Sequence, residues 1–162
     1  MISSNHRIIL SALRVLSFLC LAGHCTVKAQ DSQSYKEEEK AFLKANKSVK
    51  GVRTLQSGLQ VMILNRGKGR RPTLKDEVYV KYKGHFVDGT VFDESLSKPA
   101  VFRMSGVIPG MKEGLSQIGE GGSAVLYVPS KLAYGSEGAG QIPPDRMLIF
   151  EVELIEIYCE ED

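Results

Sequence analysis

The sequence predicts an α+β fold, a single helix on one face of an antiparallel sheet. Three observations predict it. Strand patterns of period two lie on both sides of one helical pattern, in the order strands, helix, strands. The chain's 16 glycines imply many turns and so a β-rich fold. Its 162 residues, 43% apolar and 25% charged, suit one soluble domain with a real core plus a modest extension.

The elements follow in order. Residues 1–29 read as a secretory leader. Arg7 precedes an apolar run from Ile8 to Ala22, interrupted by Ser11, Arg14 and Ser17, and Val27-Lys28-Ala29 offers small or β-branched residues for a signal peptidase. An uncleaved anchor is the alternative, but the longest uncharged part, Val15 to Gly23, is too short to span a bilayer. Neither Cys20 nor Cys25 follows a convincing lipobox. Residues 30–51 are polar. Ser34 with Glu37 forms a capping-box pattern, and Tyr35, Phe42 and Leu43 give a thin apolar stripe. A short helix and a solvated tail both fit.

The globular domain spans 52–158, with an acidic tail at 159–162. Leu59, Val61, Met62, Ile63 and Leu64 form a first strand, broken by Gly67, Gly69 and Pro72. The basic cluster Arg66, Lys68, Arg70 and Arg71 in that break reads as a solvated turn. From Asp76 to Ser95 the chain reads DEVYVKYKGHFVDGTVFDES. Val78, Val80 and Tyr82 share one face, with Tyr79, Lys81 and Lys83 on the other. Asp88-Gly89 turns the chain, which returns through Val91 and Phe92 to Asp93. Pro99 opens a short strand with Val101, Phe102 and Met104 apolar. Pro109-Gly110 starts the domain's helix, whose buried stripe is Met111, Leu115 and Ile118 and whose end is Gly119. Ala124 to Val128 is a strand, Lys131 to Tyr134 a helical turn, and Gly135 to Asp145 a Gly- and Pro-rich loop stiffened by Pro143-Pro144. Met147 to Ile157 is the final strand, with Leu148, Phe150, Val152 and Leu154 on one face.

Much chemistry is excluded. There is no G-x-S-x-G elbow, P-loop, G-x-G-x-x-G after a strand, C-x-x-C or H-E-x-x-H. Beyond the leader the single histidine is His85, which reads as a surface imidazole, and the single cysteine is Cys159, which can form no internal disulfide. Arg7, Arg14 and Lys28 belong to the leader. Without those three of the 21 basic residues, the rest of the chain is one basic residue short of its 19 acidic ones. No nucleic-acid footprint is expected.

The stretches VKYKGHFVDGTVFDES, VIPGMKEGL, LAYGSEGAGQIPP and LIFEVELIEI, in this order and nearly at this spacing, resemble FKBP-type peptidyl-prolyl cis-trans isomerases. The resemblance covers about Thr54 to Tyr158. Upstream, KAFLKANKSVKGVRTLQSGLQ resembles the junction found in macrophage infectivity potentiator-like members, here with too few residues before it for their dimerisation region. A monomer is therefore expected.

The resemblance implies a curved sheet of about five strands wrapped around one short helix. It implies catalysis of X–Pro rotation during the folding of exported proteins, with no metal or cofactor. Tyr82, Phe92 and Asp93 would lie along one wall of an apolar pocket, with Val107 and Ile108 before the helix and Met111 at the floor. Tyr134 and Ile142 would come from the long loop, Phe150 from the last strand, and Phe102 would line another side. By the same resemblance Asp93, Tyr82, Tyr134, Phe92 and Phe150 would be the catalytic set, and Phe102, Val107, Ile108, Met111 and Ile142 would hold the substrate. Proline-containing polypeptides are the implied partners, and a macrolide the other ligand class. Met111 in place of a frequent Trp, Ala100 in place of an aromatic, Gln141 in place of a common apolar residue beside Ile142, and the missing Arg partner of Asp93 depart from the family's pattern and bear on macrolide affinity and catalytic efficiency more than on the fold. The other reading is a binding module or chaperone of the same fold with little turnover. The leader implies the secretory route, either periplasmic or extracellular in a bacterium or the endoplasmic reticulum lumen. Glu160-Glu161-Asp162 is not a retention signal.

Overall fold

The computed structural model describes residues 23–95 and 97–159. Residues 1–22 of the expected leader and the end of the acidic tail, 160–162, lie outside the described residues. Gly23 to Ala29 belongs to helix α1, Gly23–Asn46. The chain divides between Asp31 and Ser32 into two units, the second of which contains the sheet. None of the described helices is long and apolar enough to cross a membrane.

Within that second unit the polar segment is helical rather than a solvated tail. Its less exposed positions are Ser32, Tyr35, Glu38, Glu39, Phe42, Leu43 and Asn46, spaced by three and four as one helix face requires. Ser34 lies inside α1, so the expected capping box does not open a helix there. The face is pinned by polar contacts. Asn46 Nδ2 donates to Gln60 Oε1 at 2.8 Å, Gln60 Nε2 donates to the Leu43 carbonyl at 2.8 Å, and the Ser130 amide donates to Glu39 at 2.8 Å. The Phe42 ring packs 5.8 Å from that of Tyr127.

The described strands are β1 Val52–Thr54, β2 Gln60–Asn65, β3 Asp76–His85, β4 Val91–Glu94, β5 Ala100–Arg103, β6 Gly122–Val128 and β7 Leu148–Cys159. They form one antiparallel sheet in the order β1-β2-β6-β7-β3-β4, with β5 also on β3. β4 pairs with Lys83–His85 and β5 with Glu77–Val80, so the two lie end to end along one edge of β3 like a single broken strand. β3 alternates as its sequence predicts: Val78 and Val80 are fully buried and Lys81 and Lys83 exposed.

β7 departs from strict alternation. Tyr79 pairs with Glu156 but Val80 with Leu154, so Ile155 is an extra residue opposite no partner. This bulge reverses the faces beyond it. Leu148, Phe150, Val152 and Leu154 point inward, and then Ile157 does, leaving Glu156 outside.

Helix α2, Pro109–Leu115, lies against β6 at a distance that only glycine permits. A Cβ on Gly110 would meet Val128 Cγ1 at 2.4 Å, and one on Gly114 would meet Leu126 Cδ1 at 2.4 Å. The two glycines are four apart and so share a face. α2 ends at Leu115, short of the expected Gly119. The Gly119 amide donates instead to the Arg66 carbonyl at 2.9 Å, and Ile118 is buried from the turn after the helix.

The basic cluster of the β2–β3 loop is not simply solvated. Arg70 donates to both Asp76 oxygens, at 2.7 and 2.9 Å, and the Thr73 amide and hydroxyl donate to Oδ2 at 2.6 and 2.9 Å. Asp76 is fully buried, and those bonds, Arg70's first, hold its carboxyl well below the usual carboxylate range. Cys159 is exposed.

Candidate active site

Four strands and one helix start enclose a hollow of about 670 Å³. β3 carries Tyr82, β4 carries Phe92 and Asp93, β5 carries Phe102 and β7 carries Phe150. Val107 and Ile108 precede α2, and Met111 follows inside it. The loop after the 3₁₀ turn Ser130–Leu132 adds Tyr134 and Ile142. All ten side chains named from the sequence line this one space.

Local pairing sets the aromatic wall. Gly84 of β3 pairs with Asp93 on one side and with Phe150 on the other. The Phe92 and Phe150 rings close over it edge to face, with centroids 5.5 Å apart and planes at 87°. A Cβ on Gly84 would meet Phe92 Cζ at 2.6 Å and Phe150 Cε1 at 3.0 Å. Tyr82 continues the wall, 5.3 Å from Phe102 and 6.4 Å from Phe150. Phe86 backs Phe92 at 5.0 Å.

The polar groups stand at the rim. Tyr82 Oη donates to Asp93 Oδ2 at 2.6 Å. Burial, then that bond and the charge of Asp93, push the Tyr82 phenol above its ordinary range, so it remains a donor at neutral pH. Asp93 itself lines the hollow but is exposed. The Tyr134 hydroxyl has no partner among the described residues. The Ile108 amide precedes α2 and has no place in its hydrogen-bond ladder. The arrangement therefore offers an apolar cradle edged by two phenols, a backbone amide and one carboxylate. No group of three or more metal-ligating side chains occurs among the described residues.

Some contributors were not recognised from the sequence as parts of the site, and two of them shape it. Gly84 is one; its signal is a glycine within a strand pattern, which marks close approach of other groups. Gln141 is the other, noted only as a departure from an apolar residue. Its Nε2 donates to the Phe92 carbonyl, tying the loop tip to β4. The tip is a tight turn in which the Ala139 amide donates to the Ile142 carbonyl at 2.9 Å and the Ile142 amide to that of Ala139 at 2.8 Å. Gly140, at φ 55°, supplies the left-handed residue within it.

Residues 68–155 match the model of the FKBP-type peptidyl-prolyl cis-trans isomerase domain, and residues 22–63 match the domain amino-terminal to it. The chain belongs to the FKBP-type peptidyl-prolyl cis-trans isomerase family. It is 46% identical over 135 residues to a probable FKBP-type isomerase FkpA of Neisseria meningitidis, covering 82% of this chain and 50% of that protein. It is 48% identical to the isomerase Mip of Coxiella burnetii, covering 75% of this chain and 54% of that one. The chain thus spans about half the length of these FKBP-type relatives. The crystal structure of FkpA from Escherichia coli superposes with a TM-score of 0.82 at 37% identity, over 85% of this chain and 65% of that one. An isomerase from Pseudomonas syringae superposes with a TM-score of 0.73 at 36% identity, over 78% and 95%.

Proposed function

We propose that this chain is a peptidyl-prolyl cis-trans isomerase that turns X–Pro bonds in polypeptides without any covalent step. The observation that carries the reading is the hollow itself: crossed rings from β4 and β7 beside a hydrogen-bonded phenol–carboxylate pair, in a member of the FKBP-type family. Rotation about an amide must break a resonance worth about 18–20 kcal/mol, and the uncatalysed X–Pro exchange takes about 10–100 s. The planar amide is more polar than the twisted one, so water holds back the twist and an apolar cradle relieves that preference.

Phe92, Phe150, Val107, Ile108 and Met111 grip the prolyl ring, with Phe102 and Ile142 closing the sides. The Ile108 amide and the Tyr134 hydroxyl donate to substrate carbonyls. The Tyr82–Asp93 pair orients the twisted carbonyl, and no proton is transferred. Catalysis is then stronger binding of the twisted than of the planar amide, each tenfold gain needing about 1.4 kcal/mol.

The substrates are proline-containing segments of exported proteins, and a macrolide is a competing ligand of the same hollow. One relative, from Legionella longbeachae, carries the name outer membrane protein MIP, which supports a periplasmic or extracellular site of action. Residues 32–46 of α1 turn their least exposed face onto their own domain, which supports a monomer. The test is a protease-free assay on a short X–Pro peptide, with competition by a macrolide. A folded sample that equilibrates the peptide no faster than buffer rejects the enzyme and favours a binding module of the same fold.

A further inference from the structure

A second concavity, about 530 Å³, lies between α1 and the 3₁₀ turn. Lys40 and Lys44 reach it from one helix face, Lys47 from just beyond the helix end, and Lys131 from the opposite wall. These side chains are 84 to 91 residues apart in sequence, measured from Lys47 and Lys40 to Lys131. All four are exposed, and none has an ion-pair partner among the described residues. The one acid in the lining, Glu39, already accepts from the Ser130 amide at 2.8 Å. Leu43 and Pro129 give the groove apolar walls. Lysines four apart on a helix repel each other, and four lysines against the single Glu39 carboxylate leave this face with an excess of positive charge.

We propose that this groove binds an acidic stretch of the same client polypeptide whose proline enters the hollow. The inference rests on the isomerase reading for the client's identity, but the binding event does not require turnover. Two dimensions favour a polypeptide. The groove's lysines run from Lys40 to Lys47, roughly 10 Å at 1.5 Å per residue, the reach of about three extended residues. Lys131 on the groove and Tyr134 on the hollow are three residues apart in one short segment, so at most about 11 Å of chain separates them. A client with Asp or Glu a few residues from its proline therefore reaches both. The apolar walls receive the stems between its carboxylates.

The test uses the full chain and the variant Lys40→Glu, Lys44→Glu, Lys131→Glu, whose residues are exposed and lie outside the hollow. Fluorescent X–Pro peptides carry three Glu, or three Gln in their place, on one or the other side of the proline. Binding is read by anisotropy and turnover by the protease-free assay. The Glu peptide of one polarity is expected to bind about fivefold tighter than its Gln counterpart at low ionic strength. That advantage disappears in the variant and in high salt, while the Gln peptide keeps its affinity and rate in both proteins. No preference for Glu, or a preference that survives the triple substitution, overturns the proposal. So does lysine-dependent sedimentation with phosphatidylglycerol vesicles without any peptide preference, which assigns the groove to a lipid surface. Glu-selective binding without turnover upholds the groove and rejects the isomerase reading instead.

Discussion

Replacing Gly84 by alanine tests the geometry of the hollow most directly. In a strand interior this change alone stabilises by about 0.4–1 kcal/mol, because it restricts the unfolded chain. Here the new Cβ meets Phe92 Cζ at 2.6 Å, Phe92 Cε2 at 2.7 Å and Phe150 Cε1 at 3.0 Å. Carbon atoms rest about 3.5–4.0 Å apart, so the Phe92 ring must withdraw by about 1 Å. The backbone cannot yield, since Gly84 is paired to β4 and to β7 at once. Phe86 stands 5.0 Å behind Phe92, which leaves movement into the hollow as the easier escape. Overpacking of this kind costs about 1–3 kcal/mol and outweighs the chain-entropy gain.

The expected result is a folded variant, less stable by about 1–2 kcal/mol, with kcat/KM on a short X–Pro peptide lowered at least about tenfold. Urea unfolding and the protease-free assay measure the two effects on one sample. Gly106→Ala is the control for stability: its Cβ meets nothing nearer than the Arg103 carbonyl at 3.5 Å, and its φ is not left-handed. A Gly84→Ala protein as stable and as fast as its parent refutes the argument that the crossed rings shape the site.

Three further outcomes are expected. The Asp76 carboxyl is held low, so its contribution to stability is full above about pH 4, the unfolded carboxylate's pKa, and is lost as pH falls below that; Asp76→Asn removes about 2–3 kcal/mol at neutral pH in urea unfolding and flattens the acid limb. The Tyr82 phenol is raised, so its contribution is complete below its ordinary pKa of 10.0 and is lost only as pH rises through the higher folded value; ultraviolet titration against Tyr82→Phe follows it, and Asp93→Asn lowers the value while burial keeps it above the ordinary one. Arg146→Ala destabilises by about 2–4 kcal/mol by urea unfolding, and Arg146→Lys by less, since the charge remains but the two-pronged donor is lost.

The sequence made the strands legible because one face of each is buried and the period is two. Val78, Val80 and Leu126 could face only inward. The site was legible through separated motifs rather than single residues, since Phe92 or Phe150 alone reads as core. What stayed hidden was set by tertiary contact. Ile155 carries no local signal of a bulge, yet it reverses the end of β7. Gly119 reads as a helix end, but the Arg66 carbonyl captures its amide and α2 stops earlier. Arg70 looks like its basic neighbours; its partner is Asp76, a residue that reads as the start of a strand. The helical state of residues 32–46 depends on partners far along the chain, Gln60, Tyr127, Ser130 and Arg146.

Those distant partners bear on why the hollow stays open. An apolar cavity of this size tends to collapse unless its walls are held from behind. Arg146 follows Asp145, where the long loop ends, and its guanidinium is almost wholly buried. It donates to Glu38 of α1 and, at 2.8 Å, to Asp88 of the β3–β4 turn. It also lies 4.2 Å over the Tyr35 ring and 4.9 Å over Phe86. Phe86 in turn backs Phe92, and Gln141 fastens the loop's tip to β4 from the other side. One cation thus joins the helix, the turn and the loop exit behind the aromatic wall. The wall's position is accordingly a property of α1 as well as of the sheet, and losing the Glu38 or Tyr35 contact should loosen Phe92 although neither residue lines the hollow. A Tyr35→Ala chain with the parent's kcat/KM and the parent's stability would show that β3, β4 and β7 hold the rings unaided.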